Sequence, residues 1–288
     1  MKTLATYLPW TDRRGTLSLL RLGVFIALLL PAAVIAYSLG FGPVQADPFE
    51  REQHAAGLWA VRLLLVTLAV TPLRRIFSWN RILGVRRMLG LSVLAYALLH
   101  VTLYAAQEHW DLLKVASEIV LRFYLAIGFL ALLGLVLLGA TSFDAAIRRL
   151  GRNWQRLHSL IYAIGILALF HFFLQSKSDV TQATLMTGLF LLLMLYRLTV
   201  KAGFSLANPL ILAACAGLGT AATAGIEYAW YALATGIPAE RVFQANFDVA
   251  LTIRPAVWVG IIGLGIAAAA LLQRVGGRVR PKLRLKRA

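Results

Sequence analysis

Eight stretches of this chain are long and apolar enough to cross a bilayer, near 19–39, 56–73, 88–107, 119–140, 155–174, 182–201, 207–230 and 255–273. A helix needs about 20 apolar residues to span the ~30 Å hydrocarbon core. Within that core the backbone must satisfy its own polar groups, which leaves only helices and closed barrels. No segment shows the ~10-residue alternation of barrel strands. The expected fold is therefore all-α, a polytopic membrane bundle of about eight transmembrane helices. With 60% hydrophobic and only 14% charged residues, a water-soluble domain is excluded. The first run contains Pro31 and is followed by YSLGFGPVQ, which offers no convincing A-x-A cleavage site, so it reads as a retained anchor rather than a signal peptide.

Charge placement sets the expected orientation, because Lys and Arg near span ends stay on the cytoplasmic side. With the N-terminus inside, the inner segments hold Lys2, Arg13, Arg14 and Arg21, then Arg74, Arg75, Arg81, Arg86 and Arg87, then Arg148, Arg149, Arg152 and Arg156. Arg197, Lys201 and seven residues from Arg274 to Arg287 complete 22 of the 29 basic residues. On the same assignment Asp47, Glu50, Glu52, Glu108, Asp111, Glu118, Asp179, Glu227, Glu240 and Asp248 lie outside or at the outer edge. Both termini are expected in the cytoplasm. The net charge of +17 is then spread over the short loops of one face, and no nucleic-acid partner is needed to explain it. The tail RVGGRVRPKLRLKRA reads as a contact with anionic lipid.

The single cysteine, Cys215, falls inside the seventh run, so no disulfide, CxxC pair or CxxCH haem attachment is available. Neither a GxGxxG nor a Walker-type loop is present, and no soluble stretch is long enough to house a dinucleotide site. Any redox cofactor must be held without thiolates.

Five histidines remain. His54 and His109 fall at outer span ends, where a polar ring is ordinary. His100, His158 and His171 fall within spans three and five, where ionisable groups are costly and point to function or to a specific partner. His100 lies 13 residues beyond Arg87 and His171 lies 15 beyond Arg156. At the helical rise both are about 20 Å from the cytoplasmic edge. Two parallel helices thus present imidazoles at one height, the arrangement by which a bundle holds a haem between two axial ligands. Zinc fits less well, since no Cys, Asp or Glu joins them at that depth. Haem b is the better match.

His158 stands 13 residues before His171. On an undistorted helix the two differ by about 140° in direction, so they do not face one seam. Gly165, midway between them, is a place where the helix can distort. A second haem at His158 needs a partner, for which Met88 is the sole thioether at matching depth and core packing its commoner role. One haem and two both stay open.

The segments GLWAVRLLLVTLAVTPLRR (57–75), RRMLGLSVLAYALLHVTLY (86–104) and NWQRLHSLIYAIGILALFHF (153–172) resemble the membrane haem subunits of the bacterial periplasmic methionine-sulfoxide reductase system, the MsrQ or YedZ family. That family lies within the ferric-reductase-like transmembrane superfamily. The resemblance covers roughly residues 15–202. It implies a b-type haem protein of the inner membrane whose six-span bundle passes electrons outward to a periplasmic molybdopterin-containing reductase that repairs oxidised methionine. It implies that His100, His158 and His171 match the family's haem-ligand histidines. It further implies that electrons arrive from the quinol pool or a cytosolic flavin reductase, with quinone or FMN as an additional cofactor. No residue here specifies the flavin.

The expected organisation is a cytoplasmic segment 1–18, a six-span haem-binding domain 19–202, two further spans with an outer connection over 203–273, and a basic cytoplasmic tail 274–288. The 203–288 region has no histidine and departs from the short pattern of the family. Arg62 and Arg122 lie one to two turns inside the expected outer ends of spans two and four. Each can either pair with a haem propionate or snorkel to the interface. A self-standing transmembrane ferric reductase or b-type cytochrome is the alternative reading, and a haem-free scaffold a third.

Overall fold

The computed structural model describes residues 8–12, 14–43, 47–177, 179–248, 250 and 252–279. Lys2, Arg13 and the tail from Arg280 onward lie outside the described residues. Among those described, eight helical segments are long and apolar enough to cross a membrane. They are Leu19–Phe41, Pro48–Phe77, Asn80–Gln107, Phe123–Ala140, Arg152–Gln175, Thr181–Lys201, Pro209–Ala234 and Pro255–Gly276. The chain is a multi-pass helical membrane protein.

In chain order the helices are α1 (Leu19–Phe41), α2 (Pro48–Phe77), α3 (Arg86–Gln107, entered through a 3-10 turn at 80–85), α4 (Leu112–Leu121), α5 (Phe123–Ala140) and α6 (Asp144–Leu150). Then follow α7 (Arg152–His158), α8 (Ile161–Gln175), α9 (Thr181–Lys201), α10 (Pro209–Ala234), α11 (Ala239–Gln244) and α12 (Pro255–Val279).

Two boundaries differ from the hydropathy runs, each for a local reason. Helix α2 starts at Pro48, well before the apolar run at 56. The Asp47 carboxylate accepts the N–H groups of Phe49 (3.0 Å) and Glu50 (3.1 Å), while Pro48 occupies the first helical position, where no N–H is needed. Two polar turns are thereby added, and Gln53 becomes helical. The fourth run is two helices. Arg122 is extended (φ −101°, ψ 104°); its N–H closes α4 on the Glu118 carbonyl, and its own carbonyl opens α5 by accepting from Leu125 and Ala126. Arg122 therefore sits at a joint and not inside a span. Arg62, in turn, lies several turns into α2 rather than close to its start.

The chain forms two compact units. The first comprises the described residues through Val70 together with Arg81–Lys177. In it α5 packs on α8, and α3 and α4 pack on α5. Approach is close where side chains are absent: a Cβ at Gly134 would lie 2.7 Å from Ile164, and one at Gly139 would collide with Leu94. Small residues at such crossings let helices gain contact in a solvent that gives no hydrophobic drive between them. The Tyr96 hydroxyl enters the ladder of α1, donating to the Leu28 carbonyl (2.6 Å) and accepting from Ala32 N–H (2.9 Å) beside Pro31. This tethers α1 to α3.

The second unit comprises Thr71–Asn80 and the described residues from 179 onward. Helices α9, α10 and α12 pack mutually through small residues, with Gly188 against Thr223 and Val259, and Gly263 with room for a Cβ only 2.6 Å from that of Ala216. Packing thus groups Thr181–Lys201 with the C-terminal helices, whereas the sequence resemblance runs on through 202.

Candidate functional site

Helices α3 and α8 carry His100 and His171 in their C-terminal halves, where the N-terminal parts of α2 and α5 face them. The two ring centroids are 6.4 Å apart, with planes inclined at 78°. Each ring is anchored by its Nδ1: His100 lies 2.8 Å from the Gln53 carbonyl oxygen and His171 lies 2.7 Å from that of Tyr124. A carbonyl only accepts, so Nδ1 carries the proton in both rings and Nε2 keeps its lone pair. A ring held in this way has the tautomer and orientation of a metal-ligating imidazole.

The spacing suits one metal between them. With both Nε2 atoms turned to a shared metal in line, two nitrogen–metal bonds of about 2.0 Å and about 1.1 Å from each nitrogen to its ring centre call for about 6.2 Å between centroids. Among the described residues no three or more His, Cys, Asp or Glu converge on a metal site. Two nitrogens alone underfill a zinc site, which takes four donors, but suit the iron of a haem, whose porphyrin brings its own four nitrogens. The residues present therefore fit a haem.

The two halves of the site are built alike. The carbonyl lies 47 residues before its histidine in both, and a glycine follows that carbonyl one turn later, Gly57 after Gln53 and Gly128 after Tyr124. Gln53 and Tyr124 were not singled out from sequence, since a main-chain carbonyl has no side-chain signature. The repeated spacing is the signal that points to them.

His158 is not brought to this pair. It closes α7, its ring stacked on Trp154 (centroids 3.9 Å apart, 26° between planes), with Nε2 3.2 Å from the Thr141 hydroxyl. Trp154 Nε1–H donates to the Thr141 carbonyl (2.9 Å), so α7 is latched to the end of α5. The helix does distort between His158 and His171, but at Ser159–Leu160 and not at Gly165, which is buried inside α8. There Leu160 N–H and Tyr162 N–H reach back three residues instead of four, a tighter winding that rotates everything beyond it.

Neither arginine touches the histidine pair. The Arg62 guanidinium lies 5.0 Å from the Trp59 ring centroid, a cation–π contact within α2. Arg122 joins a polar ring at the α4–α5 joint: it donates to Glu118 (3.1 Å) and to the Tyr124 hydroxyl (3.2 Å), and Tyr104 donates to the other oxygen of Glu118. The Tyr124 bond and then the Glu118 charge raise the Arg122 pKa, so it stays a cation. Tyr124 connects the two features, with its hydroxyl on Arg122 and its carbonyl on His171.

The chain has relatives among known proteins. A family model described as the ferric reductase like transmembrane component matches residues 56–169, which include His100 and His158 and end two residues before His171. The chain is 42% identical over 183 residues to the protein-methionine-sulfoxide reductase heme-binding subunit MsrQ of Xanthomonas campestris pv. campestris (strain B100), covering 60% of this chain and 83% of that protein. The namesake from Xanthomonas axonopodis pv. citri (strain 306) is 40% identical over 187 residues (62% and 85%), and that from Azospira oryzae is 38% identical over 158 (54% and 68%). No solved structure matches the chain. By the extent and identity of these matches, the chain belongs to the MsrQ/YedZ family of membrane proteins.

Proposed function

We propose that the chain is a membrane haem-binding subunit of a methionine-sulfoxide reductase system, with His100 and His171 as the axial ligands of one b-type haem. The observation that carries this is the pair itself: two imidazoles 6.4 Å apart, each with Nδ1 tied to a carbonyl. When bound, the haem supplies a reversible one-electron couple. The chain's own part is to hold the two Nε2 atoms of the half-buried rings between apolar helices and to set ligand basicity through the Gln53 and Tyr124 carbonyls.

In this reading electrons enter from the quinol pool or a cytosolic flavin reductase and leave to a periplasmic molybdopterin-dependent reductase that repairs methionine sulfoxide. A quinone or FMN would bridge the inner side. The positive-inside distribution of Arg and Lys supports an inner-membrane placement with both termini cytoplasmic. Arg122 and Arg62 are the proposed propionate partners; Arg122 is linked to His171 through Tyr124 and must share its fork with Glu118. His158 is the proposed ligand of a second, inner haem, which requires its Nε2 to exchange the Thr141 hydroxyl for iron. The ferric-reductase-like match supports a second reading, a self-standing transmembrane reductase that needs no periplasmic partner.

The test is a haem-to-protein ratio with reduced-minus-oxidised spectra for the purified wild type and for His100→Ala, His171→Ala and His158→Ala. The expected result is a b-type spectrum abolished by either of the first two. A ratio of two, falling to one in His158→Ala, assigns the inner haem. A wild type without a Soret band after expression with added haem refutes the proposal.

A further inference from the structure

We infer that Gly57 and Gly128 are positioning residues for the two imidazoles, acting through the hydrogen bonds that His100 and His171 make to Gln53 and Tyr124. This rests on the haem reading above and goes beyond the ligands themselves.

The reason lies in helix geometry. The carbonyl of residue i in an α-helix already accepts the N–H of residue i+4. A second donor must reach the oxygen from the flank, across residue i+4. The Cα–Cβ bond there tilts toward the helix N-terminus, hence toward that same carbonyl. Any side chain at i+4 stands in the approach. With the acceptors at Gln53 and Tyr124, the i+4 residues are Gly57 and Gly128.

The measured spaces agree. A Cβ built on Gly57 would lie 3.0 Å from His100 Nδ1 and 3.2 Å from its Cε1. A Cβ built on Gly128 would lie 2.7 Å from both Nδ1 and Cε1 of His171 and 3.0 Å from its Cγ. In each case the nearest atoms belong to the imidazole and not to the opposing backbone. Both glycines are helical with no positive φ, so conformational freedom does not account for them. What they supply is room for a flat ring on a helix surface, with Nδ1–H committed to a carbonyl and Nε2 left as the ligand. The tighter fit at Gly128 makes the His171 side the more sensitive one.

The test compares Gly128→Ala and Gly57→Ala with Gly90→Ala, a control in α3 whose added methyl would find only Thr67, at 3.9 Å. Three readouts apply: the rate of haem transfer to excess apomyoglobin, the electron paramagnetic resonance (EPR) spectrum of the ferric protein, and the imidazole 15N shifts of the haem-free protein, which report the tautomer. The expected result for Gly128→Ala is haem loss faster by about 10- to 100-fold, the range for lost partners of metal-ligating histidines. An altered low-spin signal and a loss of the Nδ1–H tautomer at His171 should accompany it. Gly57→Ala should move in the same direction by less, and Gly90→Ala should match wild type. If Gly128→Ala does not accumulate, Gly57→Ala decides. Wild-type rates, signals and tautomers in Gly57→Ala and Gly128→Ala, in a protein that loses haem on His171→Ala, overturn the inference alone. Haem retained by both His100→Ala and His171→Ala overturns the haem reading and this inference with it.

Discussion

In the first unit His100 and His171 each give one ring nitrogen to a backbone carbonyl and keep the other. In the second unit Glu227, fully buried in α10, is met by Arg254 at 2.5 Å, charge against charge. Both units place ionisable side chains among apolar helices, where an unpartnered polar group is costly. The difference lies in what faces the leftover atom. Glu227 Oε2 and Arg254 Nε lack a hydrogen-bond partner among the described residues, but they lie within a pair whose charges cancel. An imidazole tied by Nδ1 alone retains an unused lone pair directed by a fixed ring. Neither burial nor a single unpartnered atom is therefore good evidence of a cofactor site; two imidazoles 6.4 Å apart, each left with one ring nitrogen, are better evidence.

The largest effect expected to bear on this contrast is in the first unit. His171→Ala and His100→Ala should each abolish the b-type spectrum while leaving the helical content by circular dichroism unchanged; retained haem in both would erase the distinction between the units. Next comes the second unit. Glu227→Ala leaves Arg254 largely buried without its partner and should destabilise the protein by roughly 3–5 kcal/mol, read as a lower thermal midpoint in detergent with the haem spectrum intact. A changed haem spectrum would mean that the Glu227–Arg254 pair is part of the redox site.

A smaller effect is expected at the α4–α5 joint. Arg122→Gln removes the cation that holds Glu118 and the Tyr124 hydroxyl but not the Tyr124 carbonyl, so haem content should stay at wild type while the midpoint potential shifts. Loss of haem there would assign Arg122 a holding role as well. The smallest belongs to Asp179, just before α9, whose carboxylate accepts Thr181 N–H at 3.0 Å. Bonds from Thr181 lower its pKa, so its contribution is present at neutral pH and above its unfolded value, and is lost as pH falls through the lowered folded value. Asp179→Asn should remove that dependence and leave redox properties untouched, as acid titration of the thermal midpoint would show.

Much of this architecture is legible in the amino-acid order. The eight spans follow from apolar length, and the shared height of His100 and His171 follows from counting residues outward from Arg87 and Arg156. Even the early start of α2 is written as Asp47-Pro48, though hydropathy alone passes over it. Other features are not local. Hydropathy cannot detect the joint at Arg122, because both flanking helices are apolar. Helix periodicity alone does not reveal that the winding tightens at Ser159–Leu160, between His158 and His171. Gln53 and Tyr124 act through main-chain atoms common to every residue. Gly57 and Gly128 acquire meaning only against rings more than forty positions away.

The most direct test of the central claim, that His100 and His171 hold one haem from opposite sides, is the low-temperature EPR spectrum of the ferric wild-type protein. Imidazole planes inclined at 78° predict a highly anisotropic low-spin signal, lost in His100→Ala and in His171→Ala. A rhombic signal of near-parallel ligand planes, or a high-spin spectrum in the wild type, would contradict it.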